Sequence, residues 1–227
     1  MRVAGPTNCS NRASLTSAAL AGAARLRLIV FDYDGTLADL KVDWRALRTD
    51  LSRRARDFGF MSTFEPLWPQ MARLRDACGG EAVAALFAVL AQHERQGLVQ
   101  QQPRAEIVEF ARLMSQRDCR AERSAVPAVA GCTAAARGDP APLGRTLAVF
   151  SANLHATVAA GLDALGMGSR ISWIVGADDV TRWKPAPEGL RRVMQLAACT
   201  PADTLFIGDS AGDAAAAHAA GVDFWRV

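Results

Sequence analysis

The sequence predicts an α/β fold: a doubly wound parallel sheet interrupted early by a helical insert. Three observations carry this. Leu26–Asp32 (LRLIVFD) is a short apolar run ending in Asp and followed by Gly35, which suits a strand buried on both faces. From residue 146 onward strand and helix patterns alternate, the signature of βα units with helices on both faces of a parallel sheet. Between these regions lies a long stretch of helical periodicity with no strand pattern.

Taken in order, residues 1–25 are rich in Ala, Ser, Thr, Asn and Arg and lack an apolar segment. They read as a disordered or targeting extension, of organellar rather than secretory type. After the first strand, Trp44, Leu47 and Leu51 recur at helical spacing, and Val83, Leu86, Phe87 and Leu90 do so within Glu81–Arg95, with Pro66 and Pro69 between. Glu106–Met114 reads as a further amphipathic helix. Residues 117–145 are rich in Ala, Arg, Gly and Pro without periodicity, and are expected to be a disordered insertion. Then follow strand Thr146–Ser151, helix Thr157–Leu165, strand Ser172–Gly176, helix Pro187–Ala198, strand Thr204–Ile207, helix Ala211–Ala220 and strand Val222–Trp225.

Composition excludes several classes. No run of ~18 uncharged apolar residues occurs, so no membrane span is expected. The five cysteines (Cys9, Cys78, Cys119, Cys132, Cys199) form no C-x-x-C and read as free thiols of a reducing compartment. The net charge of +3 comes from the two atypical segments, and the remainder is slightly acidic; no clustered bases suggest nucleic-acid binding. A cytoplasmic protein is expected, organellar if residues 1–25 are a transit peptide.

Ligands of such sheets bind beyond the carboxyl ends of the strands. There the sequence places Asp32-Tyr33-Asp34-Gly35-Thr36, then Ser151 with Asn153 behind it, then Lys184 in Lys-Pro-Ala-Pro, then Gly208-Asp209-Ser210-Ala211-Gly212-Asp213. Each alone has an ordinary explanation as a helix cap or a solvated charge. Together they supply what phosphoryl transfer needs: a nucleophile, neutralising charge and a proton donor. Carboxylates from Asp32, Asp34, Asp209 and Asp213 crowded together call for a cation, and Mg²⁺ takes such hard oxygen ligands. The turn at Gly35 and Thr36 offers backbone N–H groups for phosphate oxygens. Basic residues are almost all Arg, with Lys41 and Lys184 the only lysines, so Lys at 184 points to a required compact charge.

These residues resemble the four motifs of the haloacid dehalogenase superfamily, over residues 27–115 and 146–227. Asp32–Leu37 looks like the first motif, Ser151 the second, Lys184 the third and Gly208–Asp213 the fourth. The resemblance implies Asp32 as the nucleophile that forms an aspartyl-phosphate, and Asp34 as general acid and then base. It implies Ser151 and Lys184 as phosphate ligands with Gly35 and Thr36, and Asp213 as a partner of Lys184 or of a metal-bound water. It implies Mg²⁺ on Asp32, Asp209 and the main-chain carbonyl of Asp34. The helical block falls where one subgroup, including phosphoglycolate phosphatase and β-phosphoglucomutase, carries an α-helical cap. The expected division is therefore a core of 26–38 plus 103–227 and a cap of 39–102.

The expected activity is Mg²⁺-dependent hydrolysis of a small phosphorylated metabolite through an aspartyl-phosphate, by a monomer or homodimer. A phosphomutase of the β-phosphoglucomutase type and a catalytically impaired family member stay open as alternatives. Gly208–Gly212 also matches the G-x-S-x-G elbow of serine esterases, but only 17 residues follow Ser210, too few for the acid and His of that fold. An EF-hand starting at Asp32 fails, with Leu37 where Gly is needed and Asp43 where Glu is needed. Trp44, Trp68, Trp173, Trp183 and Trp225 read as core or interface anchors, and His155 as a capping or solvated residue. Nothing between Leu40 and Gln101 marks a ligand.

Overall fold

The computed structural model describes residues 26–116 and 145–227. The expected extension over 1–25 and all but Arg145 of the expected insertion lie outside these residues. Five strands, β1 (Leu28–Phe31), β4 (Thr146–Phe150), β5 (Trp173–Val175), β6 (Thr204–Gly208) and β7 (Asp223–Arg226), form one parallel sheet in the order β5-β4-β1-β6-β7. The chain runs outward from β1 first on one side and then on the other. The order therefore reverses at β1, and the crevice at such a reversal opens beyond the carboxyl ends of the strands.

β1 is apolar at every position because both its faces are covered. Leu28 and Val30 pack with Leu190 and Val193 of α5 (Glu188–Leu196) and with Ala216 and Ala217 of α6 (Ala211–Ala220). Ile29 and Phe31 pack on the other side with Ile107 and Ala111 of α3 (Ala105–Gln116) and with Val158 and Leu162 of α4 (His155–Ala164). All four β1 side chains are fully buried, each contributing about 1.5–3 kcal/mol of transfer free energy. That anchoring fixes where the next residue, Asp32, emerges.

Between β1 and α3 the chain forms two helices, α1 (Trp44–Arg56) and α2 (Leu67–Leu98). Asp43 caps α1 through its side chain, which accepts from the N–H of Arg45 and Ala46, both at 3.0 Å. Leu47 and Leu51 of α1 pack against Leu74, Leu86 and Leu90 of α2, continuous with one face of the sheet. α2 bends at Gly79, whose φ of +78° suits glycine. The helices are joined to the core by a feature the sequence reading lacks, a two-stranded antiparallel ribbon of β2 (Ala38–Asp39) and β3 (Gln102–Pro103). Two residues per strand are too few to show alternation. Among the described residues, no helix is long and apolar enough to cross a membrane, and Cys78 and Cys199 are free thiols.

Two tryptophans depart from the expected anchoring role. Trp44 and Trp173 are among the exposed large apolar side chains, at 43% and 39%.

Candidate active site

The last rung of β1 is the Asp32 N–H donating to Ile207 O at 2.8 Å; beyond it the chain turns tightly. The Leu37 N–H donates to Tyr33 O at 2.9 Å, and Gly35 takes φ +83°. A side chain at Gly35 would also collide with Asp209, its Cβ falling 2.4 Å from Oδ2. This glycine lets the loops after β1 and β6 approach each other. Both backbone donors of the expected cradle are engaged within the turn: the Gly35 N–H is bonded to Ala38 O at 2.8 Å and the Thr36 N–H to Tyr33 O at 3.2 Å. The turn consumes both donors to hold its own shape. The Thr36 hydroxyl, by contrast, is fully buried with no hydrogen-bond partner.

Lys184 sits at the centre. Its Nζ lies 2.6 Å from Asp32 Oδ1 and 2.7 Å from Asp213 Oδ1, with the three side chains 7%, 8% and 1% exposed. The ammonium also lies over the rings of Phe150 and Phe206, at 4.7 and 5.2 Å from their centroids. Burial alone would strip its proton, but the charges of Asp32 and Asp213 outweigh that and hold Lys184 above the ordinary lysine range. Asp213 is fixed by the start of α6, where its Oδ2 accepts from the Ser210 N–H at 3.0 Å and the Ser210 hydroxyl at 2.6 Å. Ser210 is thus a helix cap, with no esterase geometry around it.

Asp32, Asp209 and Asp213 each present an oxygen within 4.8 Å of the others. Burial pushes the Asp32 carboxyl up to about 7; Lys184 pulls against this and Asp213 adds to it. Burial likewise raises Asp209, reinforced by Asp213. Oxygen donors that are crowded, partly desolvated and mutually repelling are the set a hard divalent cation takes and relieves. Asp34 stands half-buried at the mouth, its Oδ1 accepting from the Leu40 N–H at 2.7 Å, and burial raises its carboxyl as well.

Ser151 lies at the end of β4 as expected, yet its hydroxyl is turned away. It donates to Asn153 Oδ1 at 3.0 Å and accepts from the Asn153 N–H at 3.2 Å. The residues of that loop facing the cavity are Ala152 and Asn153. The Asn153 Nδ2 donates in turn to Glu94 Oε1 at 3.1 Å, and the Leu154 N–H donates to Glu94 Oε2 at 3.1 Å. Glu94, on α2, is 1% exposed. Burial raises its carboxyl, against the pull of hydrogen bonds from Thr157, Asn153 and Leu154. Sequence reading missed Glu94 and left Asn153 without a role. A signal existed, because Glu94 continues the buried Leu86–Leu90 stripe of α2, and an acid on an apolar stripe needs a partner. His155 is bound to Asp179 through Nδ1 at 2.6 Å, a structural contact.

Helices and sheet rim enclose a cavity of about 220 Å³ that contains Asp32, Asp34, Asp209, Asp213 and Lys184 on one wall and Glu94 on the other. A parallel α/β core with an acidic pocket at its carboxyl edge, beside helices, is an architecture suited to a hydrolytic enzyme. Comparison with known proteins agrees. The model of the haloacid dehalogenase-like hydrolases matches residues 26–221. The chain belongs to this family. Phosphoglycolate phosphatase 1 of Pseudomonas aeruginosa is 30% identical over 197 residues, 86% of this chain and 67% of that protein. The phosphoglycolate phosphatase of Pseudomonas putida is 48% identical over 61 residues, 27% of this chain and 22% of that protein. Among solved structures, a HAD-superfamily hydrolase of subfamily IA from Geobacter sulfurreducens covers 88% of both chains with a TM-score of 0.52 and 22% identity. A haloacid dehalogenase-like family protein from Streptococcus pneumoniae covers 89% of this chain and 84% of its own, with a TM-score of 0.52 and 15% identity. The structural likenesses speak for the fold alone. The family match and the sequence relatives place the chain among the phosphatases of the family.

Proposed function

We propose that the chain hydrolyses a small phosphomonoester in two in-line displacements. Asp32 attacks phosphorus, the ester P–O bond breaks, and the departing alkoxide takes the proton of Asp34. Asp34, now a carboxylate, takes a proton from water as the water oxygen attacks the aspartyl-phosphate. Phosphate leaves, and the Asp32 carboxylate and the Asp34 proton are restored. The observation that carries this reading is the buried Lys184 ammonium bridging Asp32 and Asp213 with Asp209 beside them.

Lys184 favours the ionised nucleophile against the burial that raises its carboxyl, and faces the negative charge of the phosphoryl group. The raised carboxyl of Asp34 suits a group that must hold a proton in one step and lose it in the other. Thr36, whose buried hydroxyl has no hydrogen-bond partner, and Ser151, by turning from Asn153, would supply hydroxyl donors to the phosphoryl group. Asp32, Asp209 and the Asp34 main-chain carbonyl would hold Mg²⁺, with Asp213 alongside, and the ion would neutralise phosphate and carboxylate charge.

Hydrolysis of p-nitrophenyl phosphate tests the reading. With Mg²⁺ the chain is expected to turn it over. EDTA should reduce the rate by about 100-fold or more, and added Mg²⁺ should restore it. The Mg²⁺ needed for half-maximal rate should rise as pH falls below about 7, because the cation must then displace the Asp32 proton. An undiminished rate in EDTA would contradict the reading.

A further inference from the structure

The phosphatase reading leaves open which alcohol the phosphate is attached to, and the charge of the cavity bears on that. Five carboxylates line it: Asp32, Asp34, Glu94, Asp209 and Asp213. Among the described residues, Lys184 is the only cation in that lining, and it is already shared between Asp32 and Asp213. A divalent cation and the dianionic phosphoryl group of a substrate balance each other, so the pocket stays negative before the alcohol part enters. The wall opposite the phosphate position is built from α1 and α2, and it consists of Trp44, Leu67, Trp68 and Leu90 beside Glu94. None of these carries a positive charge.

Several basic side chains around the site have partners of their own, Arg226 among them, whose Nε donates to Asp209 O at 3.1 Å. A second cavity of about 430 Å³ opens beside Lys184 and includes Arg75 and Arg182. Arg75 lies over the Trp183 ring and bonds Thr181 O and Asp76, while Arg182 is paired with Glu188 at 3.1 Å. Arg104, whose charge reaches Asp34 and Asp209, is bonded to Asp39 at 2.8 Å.

Resting on the phosphatase reading, we infer that the site selects phosphomonoesters whose alcohol part is uncharged or cationic and discriminates against those bearing a carboxylate. Phosphoglycolate, named in the relatives, is of the disfavoured kind. A carboxylate there would meet Glu94 and the apolar side chains of α1 and α2, whereas a hydroxyl can bond Glu94 or Asn153. An ammonium can pair with the Glu94 carboxylate.

Three esters with one two-carbon skeleton test this at pH 8: 2-phosphoglycolate, 2-hydroxyethyl phosphate and O-phosphoethanolamine. The expected kcat/KM for phosphoglycolate is about tenfold or more below that for hydroxyethyl phosphate, with phosphoethanolamine equal to it or higher. Calorimetric titration of the same esters into the Mg²⁺-loaded Asp32→Asn variant should give the same order of affinity. Phosphoglycolate turned over or bound as well as the neutral ester would overturn the inference. Absent turnover with the affinity order intact would sink the phosphatase reading and leave the selectivity standing. Glu94→Gln, which keeps the shape and the contact to Asn153, should shrink the gap to a few-fold. An unchanged gap would remove Glu94 from its selecting role.

Discussion

Asp32→Asn is expected to abolish turnover, by on the order of 10⁴-fold or more, because an amide cannot replace the carboxylate that attacks phosphorus. The same change should leave stability unaltered or slightly improved in metal-free protein. Burial has pushed the Asp32 carboxyl up to about 7, which means that its ionised form is disfavoured by the fold at neutral pH. A neutral isostere relieves that cost, and Lys184 keeps Asp213 as its counter-ion at 2.7 Å. p-Nitrophenyl phosphate assays and thermal melts followed by circular dichroism check both halves. Residual turnover above about 1% would take the nucleophile role from Asp32.

Lys184→Met should damage both activity and stability. It leaves Asp32 and Asp213 facing each other in a buried site without their shared cation. Removing one partner of a buried ion pair typically costs about 3–5 kcal/mol. For a chain of this size that corresponds to a melting temperature lower by roughly 10 °C. The sign of the pH dependence follows from the carboxyls. Without the ammonium, Asp32 is raised further, so the folded variant binds protons that the unfolded chain releases. The deficit should therefore be large at pH 8 and shrink as pH falls through 7 and the buried pair accepts a proton. Melting the variant and the parent at pH 5.5 and 8 in EDTA measures it. Equal deficits at both values would show that lost packing, and not stranded charge, destabilises the variant. Lys184→Arg should rescue less activity than charge alone suggests, since a planar fork does not fit a point-charge position between two carboxylates and two phenyl rings.

The centre of the parallel sheet was legible because β1, β4 and β6 are largely buried and read as apolar runs, β1 most plainly. Asp32, Lys184, Asp209 and Asp213 were legible for a topological reason. In an open α/β sheet, polar residues at successive strand ends converge whatever lies between them. What failed to show depends on contacts between distant segments. Glu94 lies 59 residues from Asn153, and only the packing of α2 over the β4 loop brings their side chains together. The ribbon joining helices to core has strands too short to carry a period, one of them containing Pro103. The donors of the Gly35–Thr36 turn are a local exception: Ala38 O and Tyr33 O, each three residues away, take them up, and the motif alone does not show which turn forms. Most helix limits moved by a residue or two, as end positions set by capping and fraying do; α2 is the exception, starting at Leu67 instead of Glu81 and taking Pro69 into its first turn. His155, for example, opens α4 although the periodic pattern starts at Thr157.

The account stands on a covalent phosphoryl transfer to one carboxylate. Mixing enzyme and substrate in Mg²⁺, quenching in acid within a single turnover and mapping the peptides by tandem mass spectrometry reads this directly. A phosphoryl group on Asp32, absent from the Asp32→Asn protein, is the predicted result. A phosphoryl group on any other side chain during turnover would contradict it.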